Sequence, residues 1–441
     1  MRRTATATAA LALGALGYVF VRRRRPASPF PRDPQLDNTS AFLTEGYTFI
    51  STRCDRLQSD VFEARLMLQN VFCARGEEAA RMFYVPGRFT RRRAIPVTAP
   101  KLLQELGSMQ QLDGEAHRHR KRMVISQLMT SVRLRELVDI VGSEWRTRIA
   151  AWRSKRDVIL HDEAREILCR GVCAWAGVPL PRQDLARHAR EFGEMIDASG
   201  SVGPRNWRAQ RLRRDTERWI ERVIQDIRGG RLIMVPARPA HAIAWHRDAD
   251  GKLLSTRAAA AELINVLRPT VAVARFITFA ALALHEHPEA ARALEAGDER
   301  QLDWFVEEVR RFYPFFPAIG GRVLTEFDWR GHRFTKGTWV LLDVYGTNHD
   351  PRIWGDPDIF RPQRFESWDG GAFSFIPQGG GSHADNHRCP GEDITVALMK
   401  DAIRQLTSIR YDVPPQDLRV DLTGIPALPA SGFVIANVEP R

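Results

Sequence analysis

The stretch FSFIPQGGGSHADNHRCPGE, residues 373–392, concentrates more potential chemistry than its surroundings. Cys389 sits just ahead of a segment in which Ile394, Leu398, Ala402 and Leu406 recur at four-residue steps, the spacing of a buried helical face. A thiolate at a helix start is favoured by free backbone N–H groups and by the positive end of the dipole, as a permanent metal ligand requires. Gly379, Gly380 and Gly381 give the loop freedom to lie flat against a broad planar partner. One Cys approaching in this way suits haem iron, whose porphyrin already fills four coordination positions. Two other readings stand on these residues alone: an inert packed thiol, and a zinc-type cluster with His383 and His387 that has no fourth ligand nearby.

Two further sets carry charge into apolar surroundings. Glu308 and Arg311 are three apart on a helical stripe of Leu302, Phe305, Val306, Val309 and Phe312 that ends at Pro314, close enough to share a hydrogen-bonded network. FRPQRF, residues 360–365, adds Arg364 ahead of the Cys loop. Arg268 and Pro269 interrupt an otherwise apolar helical run from Ala258 to His285. A helical Pro costs on the order of 3 kcal/mol, and a buried guanidinium is expensive unless an anion pairs with it. A substrate carboxylate held in bidentate fashion would be that anion; a surface Arg beside a helix kink is the plainer alternative.

The elements that position these groups are mostly helical. Periodic stretches run over Ala116–Val132, Leu134–Trp152 and Ala258–His285, while strand-like runs are short, as at Arg333-Phe334 and Trp339–Asp343. With 441 residues, 44% of them hydrophobic, the chain has the material for a large core, so the expected fold is α-dominated with a small β part. A collagen, a disulfide miniprotein and a disordered tail are excluded. Five scattered Cys (Cys54, Cys73, Cys169, Cys173, Cys389) point to reduced thiols. There is neither a GxGxxG turn between strand and helix nor a GxxxxGK[ST] loop, so reducing equivalents come from elsewhere or are not needed.

The formal net charge is +12, but Lys occurs only at 101, 121, 155, 252, 336 and 400, a lopsided usage that weighs against nucleic acid as partner. Arg205–Arg228 surrounds Trp207, Trp219, Ile220, Val223 and Ile224 with Arg. That pattern reads as a solvated face over a core stripe or as a basic face for anionic lipid. Thr4–Val21 is free of charge, lies between Arg2-Arg3 and Arg22–Arg25, and is just long enough to cross a bilayer. Residues 1–25 are therefore expected to form a membrane anchor or targeting segment and 26–32 a Pro/Arg linker, with 33–441 as a single domain. The Arg cluster after the apolar segment places the body on the cytosolic side of a membrane, or in the cytoplasm if the segment is no anchor.

An ExxR pair followed by Pro, an Arg-Phe meander and a Gly-rich Cys loop, in that order, resembles the cytochrome P450 family. The resemblance implies a helix-rich haem domain, with Cys389 as axial ligand of a haem b iron and Glu308, Arg311 and Arg364 as the buried triad that holds the meander. His117, Lys121 and Arg388 resemble residues that pair with the haem propionates. Conventional members carry an acid and a Thr in the central helix, where this chain has Arg268 and Pro269. That pair, with FIPQGGG, HRCPGE, YGTNHDP, RRFYPF and LTEGYTFI, resembles the fatty-acid peroxygenases among bacterial P450s.

By that resemblance hydrogen peroxide supplies oxygen and both electrons, with no obligatory reductase. Arg268 holds the carboxylate of a long-chain fatty acid, which acts as acid–base relay, and hydroxylation falls at the α or β carbon. Gln110 matches the pocket position where some relatives carry His and decarboxylate to a terminal alkene; an amide is a poor proton donor or acceptor, which favours hydroxylation. A decarboxylase, a reductase-dependent monooxygenase, a non-catalytic haem-thiolate sensor and a zinc-binding structural protein are the alternatives.

Overall fold

The computed structural model describes residues 28–95, 100–103, 108–295 and 297–441. The expected anchor, residues 1–25, lies outside the described residues. Two residues of the expected linker lie against the body: the Phe30 ring sits 6.1 Å from Phe72 and 6.0 Å from Trp329, and Pro31 O accepts the Glu63 N–H at 2.9 Å. Burying an aromatic ring against the sheet draws the ordered body forward past Asp33.

The architecture is mainly helical, with a small β part to one side. Its axis is the helix Thr256–Glu286, capped by Ser255, whose hydroxyl accepts the Ala258 N–H at 3.1 Å. Between Ala259 and Leu284 every residue is buried except Asn265, Pro269 and Ala272. This helix is long and apolar enough to cross a membrane, yet 94% of its apolar window is buried inside the protein, which makes it a core helix. Pro269 lies inside it without ending it, because the helices Leu160–Ala176, Pro204–Arg228 and Glu392–Thr407 pack around it and hold its path. Upstream, the expected helices Ala116–Val132 and Leu134–Trp152 are Gly114–Leu128 and Ser131–Trp152. The break comes earlier than periodicity suggests because the Thr130 side chain caps the second helix through the Arg133 N–H.

Trp339–Asp343 lies inside a five-stranded sheet ordered Val61–Leu66, Gln69–Ala74, Trp339–Asp343, Ala318–Val323, Phe89–Thr90. His332–Phe334 pairs with Phe327–Trp329 as a separate hairpin, and Asp157–Ile159, Val434–Pro440 and Ile409–Asp412 form a third sheet. One large hydrophobic cluster fills the helical part and a smaller one lies under the main sheet. All five Cys are free thiols.

Candidate active site

The Cys389 loop is held by its own backbone. Cys389 N–H donates to Gln378 O at 3.0 Å, Gly379 N–H to Ile376 O at 3.0 Å and Gly381 N–H to Ala372 O at 3.0 Å. Gly379 and Gly381 have φ of +94° and +78°, a region that side chains rarely adopt. A Cβ on Gly381 would lie 2.3 Å from Asn386 Oδ1, and one on Gly380 would lie 2.8 Å from Ala372 O. Those two contacts are made by the loop's own fold, so loop closure already demands glycine there, whatever planar partner lies alongside. The following helix begins at Glu392, three residues beyond Cys389. Burial pushes the Cys389 thiol above its ordinary value, against the opposing pull of the Gly391 N–H and the Lys121 ammonium. Helix position alone thus does not make the thiolate; coordination to a metal ion deprotonates such a thiol outright.

Beside the loop, basic groups converge. Lys121 Nζ donates to Asn386 O and, at 2.9 Å, to Arg388 O. The His117 ring lies 4.2 Å from the His387 ring, and Arg91 donates to Gly320 O at 2.6 Å. Burial, reinforced by these neighbouring cations, pulls His117 down to about 4 and Lys121 to about 8. Among the described residues no carboxylate forms an ion pair with His117 or Lys121. Lys121 and Arg91 are the charged members of this cluster and, among the described residues, neither forms an ion pair; two such cations suit a ligand that brings carboxylates, and the residues around Cys389 therefore fit haem b through its thiolate and its propionates. Arg388, expected in the same role, donates through Nε to Glu392 Oε2 at 2.7 Å, four residues along the chain, and through Nη1 to Gly381 O at 3.2 Å. His383 bonds to that same oxygen at 3.0 Å. Among the described residues no cluster of His, Cys, Asp and Glu is placed to hold a metal ion by itself, so the zinc reading has no geometry behind it.

Glu308, Arg311 and Arg364 meet. Arg311 grips Glu308 with Nε–H···Oε2 at 2.7 Å and Nη2–H···Oε1 at 2.8 Å, and Arg364 Nε donates to Oε1 at 3.1 Å. The Arg361 N–H adds a bond to Oε1 at 2.8 Å. The two guanidiniums also collect the carbonyls of Asn348, Pro357, Asp356 and Ile359, tying the meander to the Glu299–Phe312 helix.

Arg268 is buried, and its bonds go to neutral oxygens: Leu102 O at 3.1 Å, Leu103 O, and Asn265 Oδ1 at 3.3 Å. Among the described residues no carboxylate pairs with it. Desolvation, with Arg213 alongside, pulls its guanidinium down to about 9. Gln110 is brought to the same place through Asn265, whose Nδ2 donates to Gln110 Oε1 at 3.0 Å. Ser108 donates to that oxygen at 2.9 Å. Asn265, Pro269 and Ala272, spaced i, i+4 and i+7, form the one part-buried stripe between Ala259 and Leu284 on a helix otherwise enclosed by protein.

Sequence reading missed Asn265 and Arg213. Asn265, three residues before Arg268 on the same face, was findable from helical spacing; Arg213 reaches Leu102 O from another helix and left no local signal. The Arg388–Glu392 pairing was also present in the spacing.

A mainly helical body with a locked Glu-Arg-Arg cluster, and a Cys loop running into a long helix beside a buried cationic patch, defines the haem-thiolate class of fold. The cytochrome P450 family model matches residues 300–406, from the Glu308 helix through the helix after Cys389. A variant of cytochrome P450SP alpha (CYP152B1) is 47% identical, covering 92% of this chain and 99% of that one with a TM-score of 0.89. Cytochrome P450EX alpha (CYP152N1), solved with myristic acid, is 39% identical over 94% of this chain and 100% of that one, TM-score 0.90. A variant of cytochrome P450 OleT in complex with arachidonic acid is 35% identical over 94% and 99%, TM-score 0.90. Matches to curated relatives are shorter: 29% identity over 161 residues with cytochrome P450 4A7 of Oryctolagus cuniculus, 33% of this chain and 30% of that protein. The chain belongs to the fatty-acid peroxygenase family of the cytochromes P450.

Proposed function

We propose that this protein uses hydrogen peroxide to hydroxylate long-chain fatty acids at the α or β carbon, with the substrate carboxylate held by Arg268. The observation that carries the reading is a buried guanidinium in the wall of the core helix that, among the described residues, no carboxylate neutralises. Haem, when bound, supplies the oxidising chemistry with peroxide as source of oxygen and electrons. The chain supplies position and protons. Arg268 fixes the carboxylate, which takes a proton from peroxide and returns it, a role the protein's own groups are poorly placed to fill.

Pro269 has neither hydroxyl nor N–H, and the Thr270 hydroxyl already donates to Val266 O at 2.9 Å. Glu262, the acid nearest Arg268 on this helix, is committed to the Met109 N–H at 2.7 Å and to Arg120 at 3.1 Å. These commitments favour a substrate-borne relay over a conventional acid–Thr relay. With its head group anchored, the substrate offers only Cα and Cβ to the oxidant. Gln110, an amide accepting from Ser108 and Asn265, favours hydroxylation over decarboxylation. The myristic and arachidonic acids in the two neighbours support long-chain acids as the substrate class.

The test combines purified haem-loaded protein, palmitic acid and hydrogen peroxide, with products identified by mass spectrometry. The expected products are 2- and 3-hydroxy acids formed without reductase, and none from Arg268→Ala with haem still bound. Turnover that requires a reductase, or that survives Arg268→Ala, would overturn the proposal.

A further inference from the structure

The outward face of the helix Pro204–Arg228 has no role in the chemistry above, and its side chains are not those of an ordinary solvated helix. Its inward residues, among them Ala209, Thr216, Ile220, Val223 and Ile227, are buried. At about 100° per residue, Trp207, Arg211, Arg214, Arg218 and Arg222 fall on one arc roughly 80° wide, opposite that buried stripe. All four Arg are exposed, and so are Arg205 and Arg208 at the N-terminal end. Among the described residues Arg205, Arg211, Arg214 and Arg222 meet no carboxylate; Arg218 pairs with Asp215, and Arg208 only grazes Glu194 at 4.0 Å. The helix's other acids are Glu221, Glu217, which pairs with the inward Arg213, and Asp226, which pairs with Arg231 beyond the helix end. The balance is strongly positive.

The ridge is bracketed by exposed apolar side chains. Trp207 is 67% and Val202 65% exposed at its start; Ile233 is 90% and Val235 63% exposed in the segment after its end. Single exposed apolar side chains are ordinary on a solvated surface, but an Arg-rich helix with an aromatic at the same level suits the boundary between lipid headgroups and acyl chains.

We propose that this face docks on a membrane surface containing anionic lipid. Charge complementarity favours that occupant: each Arg near an anionic leaflet contributes binding, while Trp and Val enter the interface. The inner face of the same helix gives the docking a purpose. Arg213 donates to Leu102 O, the carbonyl that also receives Arg268, so one helix, about 10 Å thick, separates the ridge from the carboxylate site. That purpose rests on the function proposed above; the docking itself does not. A chain seated there would draw fatty acid from the bilayer in which it is concentrated.

The experiment measures sedimentation of the full-length chain with vesicles of phosphatidylcholine alone and of phosphatidylcholine with phosphatidylglycerol. The expected result is partitioning onto the anionic vesicles that falls with added salt. Combined Arg211→Glu, Arg214→Glu, Arg218→Glu and Arg222→Glu should weaken it by roughly tenfold or more. The same charge change at Arg135, Arg153, Arg156 and Arg182 should weaken it far less. All variants keep residues 1–25, so any binding through that segment is common to them. The corresponding Arg→Gln set serves if charge reversal impairs folding, and turnover of dissolved fatty acid should be unchanged throughout. Equal binding by wild type and ridge variants would overturn the proposal. So would equal losses in ridge and control variants, or binding to duplex DNA in the absence of binding to vesicles.

Discussion

Replacing Arg268 by Met should make the protein more stable while abolishing its response to fatty acid. Burial beside Arg213 brings the guanidinium from 12.5 to about 9, a folded-state penalty on the charge of roughly 5 kcal/mol. Met removes that penalty and fills a similar volume. Against the gain stand the lost bonds to Leu102 O, Leu103 O and Asn265. Leu102 O keeps its bond from Arg213, and Leu103 and Asn265 are only half-buried, so the loss is about 1 kcal/mol per bond. The net expectation is a variant more stable by ~2 kcal/mol in the absence of substrate.

Below about 9 the group is charged in folded and unfolded chains alike, so the penalty is fully present and thermal melts of the haem-loaded proteins should show the same gap at about pH 6 and about pH 8. Adding palmitate at a hundredfold excess over its Kd should raise the wild type by about 2.7 kcal/mol and leave the variant unmoved. A variant less stable than wild type, or one still stabilised by palmitate, would refute the reasoning.

Glu308→Gln should cost on the order of 3–5 kcal/mol and lower haem retention, because it strips the counter-charge from the buried Arg311 and from Arg364 together; thermal melting with haem absorbance measures both. Gly381→Ala should lower the melting temperature well beyond Gly87→Ala. Both glycines have positive φ, +78° and +73°, but only at Gly381 does a Cβ meet an atom, Asn386 Oδ1 at 2.3 Å.

What the sequence disclosed was chiefly what lies within one element. The three-residue step from Glu308 to Arg311 fixed their contact, and the long apolar run that Arg268 and Pro269 interrupt pointed to a core helix, which the structure extends only to Thr256–Glu286. Arg388 shows that spacing can also be overlooked: Glu392, four residues on, is its ion-pair partner. The reason for Gly380 and Gly381 was hidden for another cause, since the atoms they avoid belong to Ala372 and Asn386 and only folding brings these close. Arg213 is the clearest tertiary case. It lies in a different helix from Arg268, and nothing in either segment says that both reach the Leu102 carbonyl.

The central claim is that a buried cation receives the acid end of the substrate, and a crystal structure of the haem-loaded protein with palmitate tests it most directly. The account predicts both carboxylate oxygens within about 3 Å of the Arg268 guanidinium, with the first carbons of the chain beside Pro269. A head group pointing outward to solvent, with the methyl end buried beside Arg268, would contradict it.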